Sequence, residues 1–600
     1  MSDNIQNVCN WLDETEEDNL LYDSDDTDAD PDFVCTNKHN KIDSESDTDV
    51  DVHINLSSSR INNASVASRS RSRSPFIRDN SSYYLGKDKV TKWYKESCTP
   101  SNSRTLRRNI VLHLPGVKRV ARDVKSIIDC WKLFFPDMVI DEIVKCTNIY
   151  LTKIRTNFQR ERDCLDTTRE EIKALFGLLY LAGVLRSNHL NLKDLWSDDP
   201  LSPEYFRAVM PLKRFYLLLR ALRFDDINTR TERKMYDKLA AIRMIFDGFV
   251  QRCQAVYTVG ENCTIDEMLE GFRGRCSFRQ YIPNKPNKYG IKIQALVDSR
   301  TFFTSNMEVY VGTQPDGPFK FENKPSSIVK RMITPISKTG RNITIDNWYT
   351  SIPLVNELLE NHNLTTVGTL RKNKKEIPLC FLDTKRREKN STLFGYSKNL
   401  MITSYVPRKN KNVILVSSMH NQGVIDTDSG DQNKPEIITF YNSTKGGVDV
   451  VDELKGEYSV SRVSCRWPLT IFFSLMNIAG INSQIIYREN TGNVITRRNY
   501  LRSLGRELAK EFMINRLDIP TLSIQLRSTI MKITGIKKQP TQPEHHGTVK
   551  ERLKCAYCPK NKNRKTMVCC ELCNNRICKE HTSTICKSCQ TGSEEKSDSE

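Results

Sequence analysis

Four aspartates have the residue type and spacing for metal-assisted chemistry on phosphate esters: Asp266, Asp346, Asp449 and Asp452. Asp266 and Asp346 close the β-branched runs Cys263-Thr264-Ile265-Asp266 and Ile343-Thr344-Ile345-Asp346, so each is expected at a strand end. Asp449 and Asp452 stand three apart in Lys445-Gly446-Gly447-Val448-Asp449-Val450-Val451-Asp452, which places both on one face of a helix. Carboxylates converging from several elements suit Mg²⁺ or Mn²⁺, hard cations with oxygen ligands. Two such ions roughly 3.5–4 Å apart activate an attacking oxygen and stabilise the leaving one in a displacement at phosphorus. A lone strand-end aspartate is an ordinary turn former, so the set and its surroundings carry the argument.

A second constellation lies near the C-terminus. Cys555, Cys558, Cys570, Cys573, Cys578, His581, Cys586 and Cys589 form four ligand pairs, each separated by two residues. Thiolate and imidazole at these spacings select Zn²⁺, and eight ligands suffice for two closed sites. The interleaved order suggests a cross-brace, with Cys555, Cys558, Cys578 and His581 on one ion. Cys570, Cys573, Cys586 and Cys589 then hold the other, and Cys569 is a spare thiol beside Cys570. The remaining 11 of 19 cysteines are scattered, as in a reducing compartment.

The elements that must position these groups are legible in outline. Residues 115–260 carry a helical pattern, with Thr168-Arg169-Glu170-Glu171 as a capping box and Ile127, Ile128, Trp131, Phe134 and Phe135 as core. Strands are expected to Asp266, over Gly290–Val297 and Phe302–Val311, then a helix over Ser326–Ile336, the strand to Asp346, and a helix over Leu354–Glu360. That order describes an α/β layer. Leu364–Leu370, Leu400–Val406 and Val413–Ser417 read as further strands, and Leu501, Leu504, Leu508 and Phe512 as one helical stripe.

Charge adds a direction. The chain carries a net +18, but residues 1–52 hold 17 acids against Lys38 and Lys41, leaving +33 on the other 548 residues. A polar acidic head of this kind, followed by SRSRSRS from Ser68, is expected to be disordered, and the basic body suits a polyanion such as DNA. The longest uninterrupted apolar run, Ala174–Leu185, is too short for a membrane span, and neither a secretory leader nor a nucleotide-binding glycine loop is expected.

The stretches TIDEMLEGFRGR, YIPNKPNKYGIK, ITIDNWYTSIPL and YNSTKGGVDVVD, in this order, resemble the piggyBac family of DDE/D transposases over residues 115–590. The resemblance implies an RNase H-like catalytic core in two parts, 262–372 and 436–457, split by a β-rich insertion at 373–435. A helical dimerisation and DNA-binding domain would comprise 115–261 and 458–535. A disordered head (1–110), a linker (536–550) and the zinc domain (551–590) complete the division.

The resemblance also makes Asp266, Asp346 and Asp449 the catalytic metal-binding acids, with Asp452 beside them. It implies two Mg²⁺ (or Mn²⁺) ions in the active site and two Zn²⁺ in a domain that recognises transposon ends. The expected partners are terminal inverted repeats and TTAA target DNA, bound by a homodimer in the nucleus. Transposition would proceed by cut and paste through hairpin ends. Arg273, Arg275, Lys288 and Lys292 follow the first acid and are candidate DNA contacts. Arg371, Lys374 and Trp467 match family positions near DNA or the active site. Two rival readings are a DNA- or chromatin-binding derivative that no longer transposes, and a zinc cross-brace adaptor or ubiquitin ligase.

Overall fold

The computed structural model describes residues 82–97, 110–111, 113–187, 190–200, 202–283, 285–536, 552–568 and 576–582. It divides into two units, Met1–Leu522 and Ser523–Glu600. In the first, a hairpin of β1 (Tyr83–Leu85) and β2 (Lys92–Tyr94) precedes helices α1 (Ile127–Lys132), α2 (Asp137–Ile154), α3 (Arg169–Val184) and α4 (Arg243–Val256). Strands β3 (Asn262–Gly271), β4 (Tyr289–Asp298) and β5 (Thr304–Val309) follow, then α5 (Pro325–Met332), β6 (Asn342–Ile345), α6 (Ile352–His362) and β7 (Thr365–Thr369). After β8 (Thr392–Tyr396), β9 (Met401–Arg408) and β10 (Lys411–Ser417) come α7 (Glu436–Thr444), α8 (Gly447–Glu457), α9 (Trp467–Thr491) and α10 (Arg497–Asn515).

These strands form one sheet. Five strands at one end of it run β5-β4-β3-β6-β7, with β3, β6 and β7 mutually parallel and β4 and β5 antiparallel in a meander. Every residue of β6 is buried, as a parallel strand covered on both faces should be. The strands of the expected β-rich insertion continue this sheet: β10 pairs antiparallel with β7, and β9, β8 and β2 follow in order.

The first hairpin falls within the 1–110 stretch expected to be disordered. It folds because Trp93 is buried among Ile352, Val355, Phe381 and Ile402, with its Nε1–H donating to the Glu376 carbonyl at 2.9 Å. Burying that tryptophan, together with the pairing of β2 with β8, offsets part of the entropy of ordering the segment. The acidic head itself lies outside the described residues.

The helical layer packs around aromatic rings. Phe472 of α9 lies 5.6, 5.3 and 4.4 Å from Phe135, Phe176 and Phe224. Trp131 donates to Tyr180 Oη at 2.9 Å, which donates onward to the Met476 carbonyl at 2.7 Å. Of the expected core residues, Trp131, Phe134 and Phe135 are buried, while Ile127 and Ile128 are half-buried. Helix α9 is long and apolar enough to cross a membrane, which short uninterrupted runs did not suggest, but its apolar window is 89% buried inside the protein.

Helices α3 and α10 touch at their backbones: a Cβ on Gly177 would lie 2.5 Å from the Gly505 carbonyl oxygen. Thr168 caps α3 by accepting from the Glu171 N–H at 3.3 Å. The reciprocal half of the capping box is replaced, since the Glu171 carboxylate takes Thr167 and Arg214 instead. At the sheet edge, Asn482 of α9 accepts from the Thr304 N–H and donates to its carbonyl, at 3.0 and 2.9 Å. The edge strand's polar backbone is thereby covered.

Candidate active site and metal centre

Asp266 lies in the middle of β3 rather than at its end. The strand continues to Gly271 because β4 pairs it residue for residue as far as Gly271↔Gly290. What ends at Asp266 is the parallel pairing with β6, whose last register is Ile265↔Ile345. Adjacent strands lie about 4.8 Å apart, so Asp266 and Asp346 leave the pair side by side. Carboxyl ends of parallel strands are where open α/β sheets place their ligands. Asp346 then starts a turn, its Oδ1 accepting from the Trp348 and Tyr349 N–H groups at 2.9 and 3.3 Å.

The third acid arrives on α8. Gly447 sits against β3, where a Cβ would come within 2.6 Å of Thr264 Oγ1, so only glycine lets the helix lie this close. Asp449 is exposed and receives Lys285 Nζ at 3.2 Å. Lys285 also donates to the Glu267 carbonyl at 3.4 Å. Burial, followed by the negative charges of Glu267, Asp346 and Asp449, holds Asp266 well above the usual carboxylate range. Burial and then Glu267 push Asp346 up to about 6, against the pull of its two amide donors. Burial would lower Lys285, but Asp449 and the acids around it outweigh that and raise it.

This is a concentration of negative charge that a divalent cation would relieve, and its all-oxygen donor set fits Mg²⁺ or Mn²⁺. The aspartate oxygens do not gather to within 4.8 Å of one another in threes, as the cysteine and histidine ligands do. Asp452 takes a different place. Its Oδ1 pairs at 2.7 Å with Lys455, which also pairs with Glu270 of β3.

Glu267, Glu270 and Lys455 were not singled out from the sequence. The available signal was period two in TIDEMLE, which puts Thr264, Asp266, Met268 and Glu270 on one face of the strand.

The candidate DNA contacts divide. Arg273, Arg275 and Lys288 are exposed. Lys292 is engaged within the protein, 3.6 Å from Glu267 Oε2 and 4.3 Å from the Trp348 ring centroid. Arg371 donates to Asn347 Oδ1 at 3.1 Å, and Lys374 is half-buried. Trp467 is only 6% exposed and packs edge-on against Phe278, so its ring belongs to the core and is not free to stack on a base.

In the second unit, Cys555, Cys558, Cys578 and His581 bring their ligand atoms within 4.8 Å of one another. These are the four assigned to one ion by the interleaved order. The Cys558–Cys578 sulfur separation is 3.6 Å and Cys578 Sγ lies 3.3 Å from His581 Nδ1. A tetrahedral Zn²⁺ with Zn–S near 2.3 Å sets sulfurs about 3.8 Å apart, so the donors fit zinc. Cys570, Cys573, Cys586 and Cys589 lie outside the described residues. In the neighbouring basic loop, Lys562 and Arg564 pair with Glu580.

The family profile described as Transposase IS4 matches residues 127–484. PiggyBac transposable element-derived protein 3 of Homo sapiens is 23% identical over 362 residues, 58% of this chain. The chain spans 59% of that relative's length. PiggyBac transposable element-derived protein 5 of Homo sapiens is 23% identical over 418 residues, 65% of this chain and 75% of the relative. A solved structure, the cryo-EM structure of a piggyBac transposase synaptic complex with hairpin DNA, is 38% identical with a TM-score of 0.69. The match covers 80% of this chain and 100% of that one.

Proposed function

Because the chain belongs to the piggyBac family of transposases, we propose that it is a DNA transposase whose active site is built on Asp266, Asp346 and Asp449. The observation that carries this reading is the meeting of the first two acids at the end of the β3–β6 parallel pair, with the third held over them on α8. The strand order β5-β4-β3-β6-β7 supports an RNase H-like core.

Asp266, Asp346 and Asp449 would hold divalent cations, Mg²⁺ or Mn²⁺, which supply activation of the attacking oxygen and charge neutralisation at phosphorus. The chain's own groups do the rest. Lys285 holds Asp449 beside Asp266, and the Trp348 and Tyr349 amides fix the Asp346 carboxylate. Exposed Arg273, Arg275 and Lys288 on the segment after β3 would take up backbone phosphates.

The substrates are transposon ends and TTAA target DNA, processed through hairpin ends by a homodimer acting in the nucleus. Family likeness supports these features, and the zinc domain would recognise the ends. The test is excision of a TTAA-flanked donor: Asp346→Asn should abolish it while DNA binding survives. Unchanged excision would sink the catalytic assignment.

A further inference from the structure

Helix α8 must reach β3 from 180 residues away and still set Asp449 opposite Asp266. Its two ends are pinned differently. At the start, Gly447 is in contact with Thr264. Near the end, Lys455, only 5% exposed, pairs with Glu270 and lies 3.4 Å from Met268 Sδ. From Gly447 to Lys455 the helix rises about 12 Å, and from Thr264 to Met268 the strand rises about 13 Å. The helix therefore runs along the strand from Thr264 to Met268, the Lys455 side chain reaches on to Glu270 about 7 Å further, and Asp449 falls between the pins as Asp266 does.

The second pin is a closed polar group. Lys455 Nζ is shared between Glu270 and Asp452, the latter at 2.7 Å, and Ser474 of α9 donates to Glu270 Oε1 at 2.7 Å. It therefore joins β3, α8 and α9 at one buried point. A buried ammonium costs several kcal/mol to desolvate, and apolar residues would pack this seam at lower cost. What an ion pair adds over apolar packing is a fixed register. Asp452, turned to Lys455, belongs to this pin.

We propose that Lys455 is a positioning residue for strand cleavage: with Glu270, Asp452 and Ser474 it locks α8 in register on β3, and so sets where Asp449 meets Asp266. This rests on the metal-dependent reading above. The test is nicking of a donor plasmid by the full chain across a Mn²⁺ titration. Lys455→Met should lower the maximal rate about a hundredfold, the scale of a 1 Å misplacement, and raise the half-saturating Mn²⁺ concentration at least about tenfold. Merely losing folded protein would lower the rate with half-saturation unchanged, and that result overturns the proposal.

Ser474→Ala, a milder change, keeps the test open if Lys455→Met does not fold; half-saturation should rise about threefold, and no shift counts against the register lock. In a double-mutant cycle, Asp452→Asn with Lys455→Met should be no worse than Lys455→Met alone. Additive losses would mean Asp452 acts apart from Lys455, again overturning it. A wild-type chain that nicks at no Mn²⁺ concentration would remove the metal-dependent reading itself, and this inference with it.

Discussion

The two candidate metal centres are built in opposite ways. The thiolate site draws four ligands from residues 555–581, within one short hairpin and turn, and brings them to tetrahedral spacing. The carboxylate site draws from β3, the end of β6 and α8, which span residues 262–457, and its acids are held by neighbouring lysine and amide groups. The first is a fold organised by its ligands; the second is a set of ligands organised by its fold. Losing zinc should therefore cost the structure around it, whereas losing Mg²⁺ should cost chemistry and leave the fold in place.

That contrast can be broken most directly at Asp266. Asp266→Asn should reduce strand cleavage by a factor of about 10³ or more, since it removes a ligand on which charge neutralisation depends. The same change should raise the metal-free melting temperature by a few degrees, because it deletes a carboxylate that burial and three neighbouring acids destabilise. A lower melting temperature would show that Asp266 supports the fold as well as the site.

Next in size is Cys578→Ser. It should abolish ordered structure in residues 552–568 and 576–582, read as lost zinc and lost amide dispersion in NMR spectra, while the melting temperature of the first unit stays within about 2 °C. Wholesale destabilisation would erase the distinction between the two centres. Chelating Mg²⁺ from the wild-type chain should lower the melting temperature of the first unit by only a few degrees, since the acids lose the cation that offsets their repulsion, and should leave it folded.

A change remote from both sites calibrates these effects. Gly177→Ala forces a Cβ onto the Gly505 carbonyl and should destabilise the helical layer by about 1–3 kcal/mol in denaturant melts.

The smallest effect is expected from His420, half-buried beside Ser417 and Phe440. Burial drives its imidazole from 6.5 down to about 4. Between those values the unfolded chain binds a proton that the folded chain does not. Its contribution is therefore complete above about pH 6.5 and is lost as pH falls towards 4, by about 1–3 kcal/mol. His420→Gln should flatten that part of the stability profile.

How much was legible in the sequence follows the same division. Cys555, Cys558, Cys578 and His581 could be grouped from spacing because their geometry is local. The aspartates could be found, but not their placing. Asp266 was expected at a strand end because the apolar run stops there, whereas pairing with β4 carries the strand on through Glu267 and Glu270. Lys455 gave no signal, since a lysine three residues after an aspartate on a helix is ordinarily a solvated surface pair. Trp467 was expected near DNA or the active site, whereas its ring is buried against Phe278, nearly 190 positions earlier, a contact that local pattern does not show. The succession of strands and helices along the chain from β3 to β7 followed from local pattern. The joining of the insertion to the same sheet did not, since β7–β10 pairing is set by edges meeting in space.

The contact of Gly447 with Thr264 has a consequence for synthesis. Strand β3 leaves the ribosome some 180 residues before α8. Until α8 arrives, the face bearing Thr264, Asp266, Met268 and Glu270 lacks the helix that covers it. Contacts of such long sequence separation form late. A message cut between codons 347 and 446 would yield a chain with two of the three acids and no seam to hold the third. The acidic site is thus completed only after most of the chain has been made.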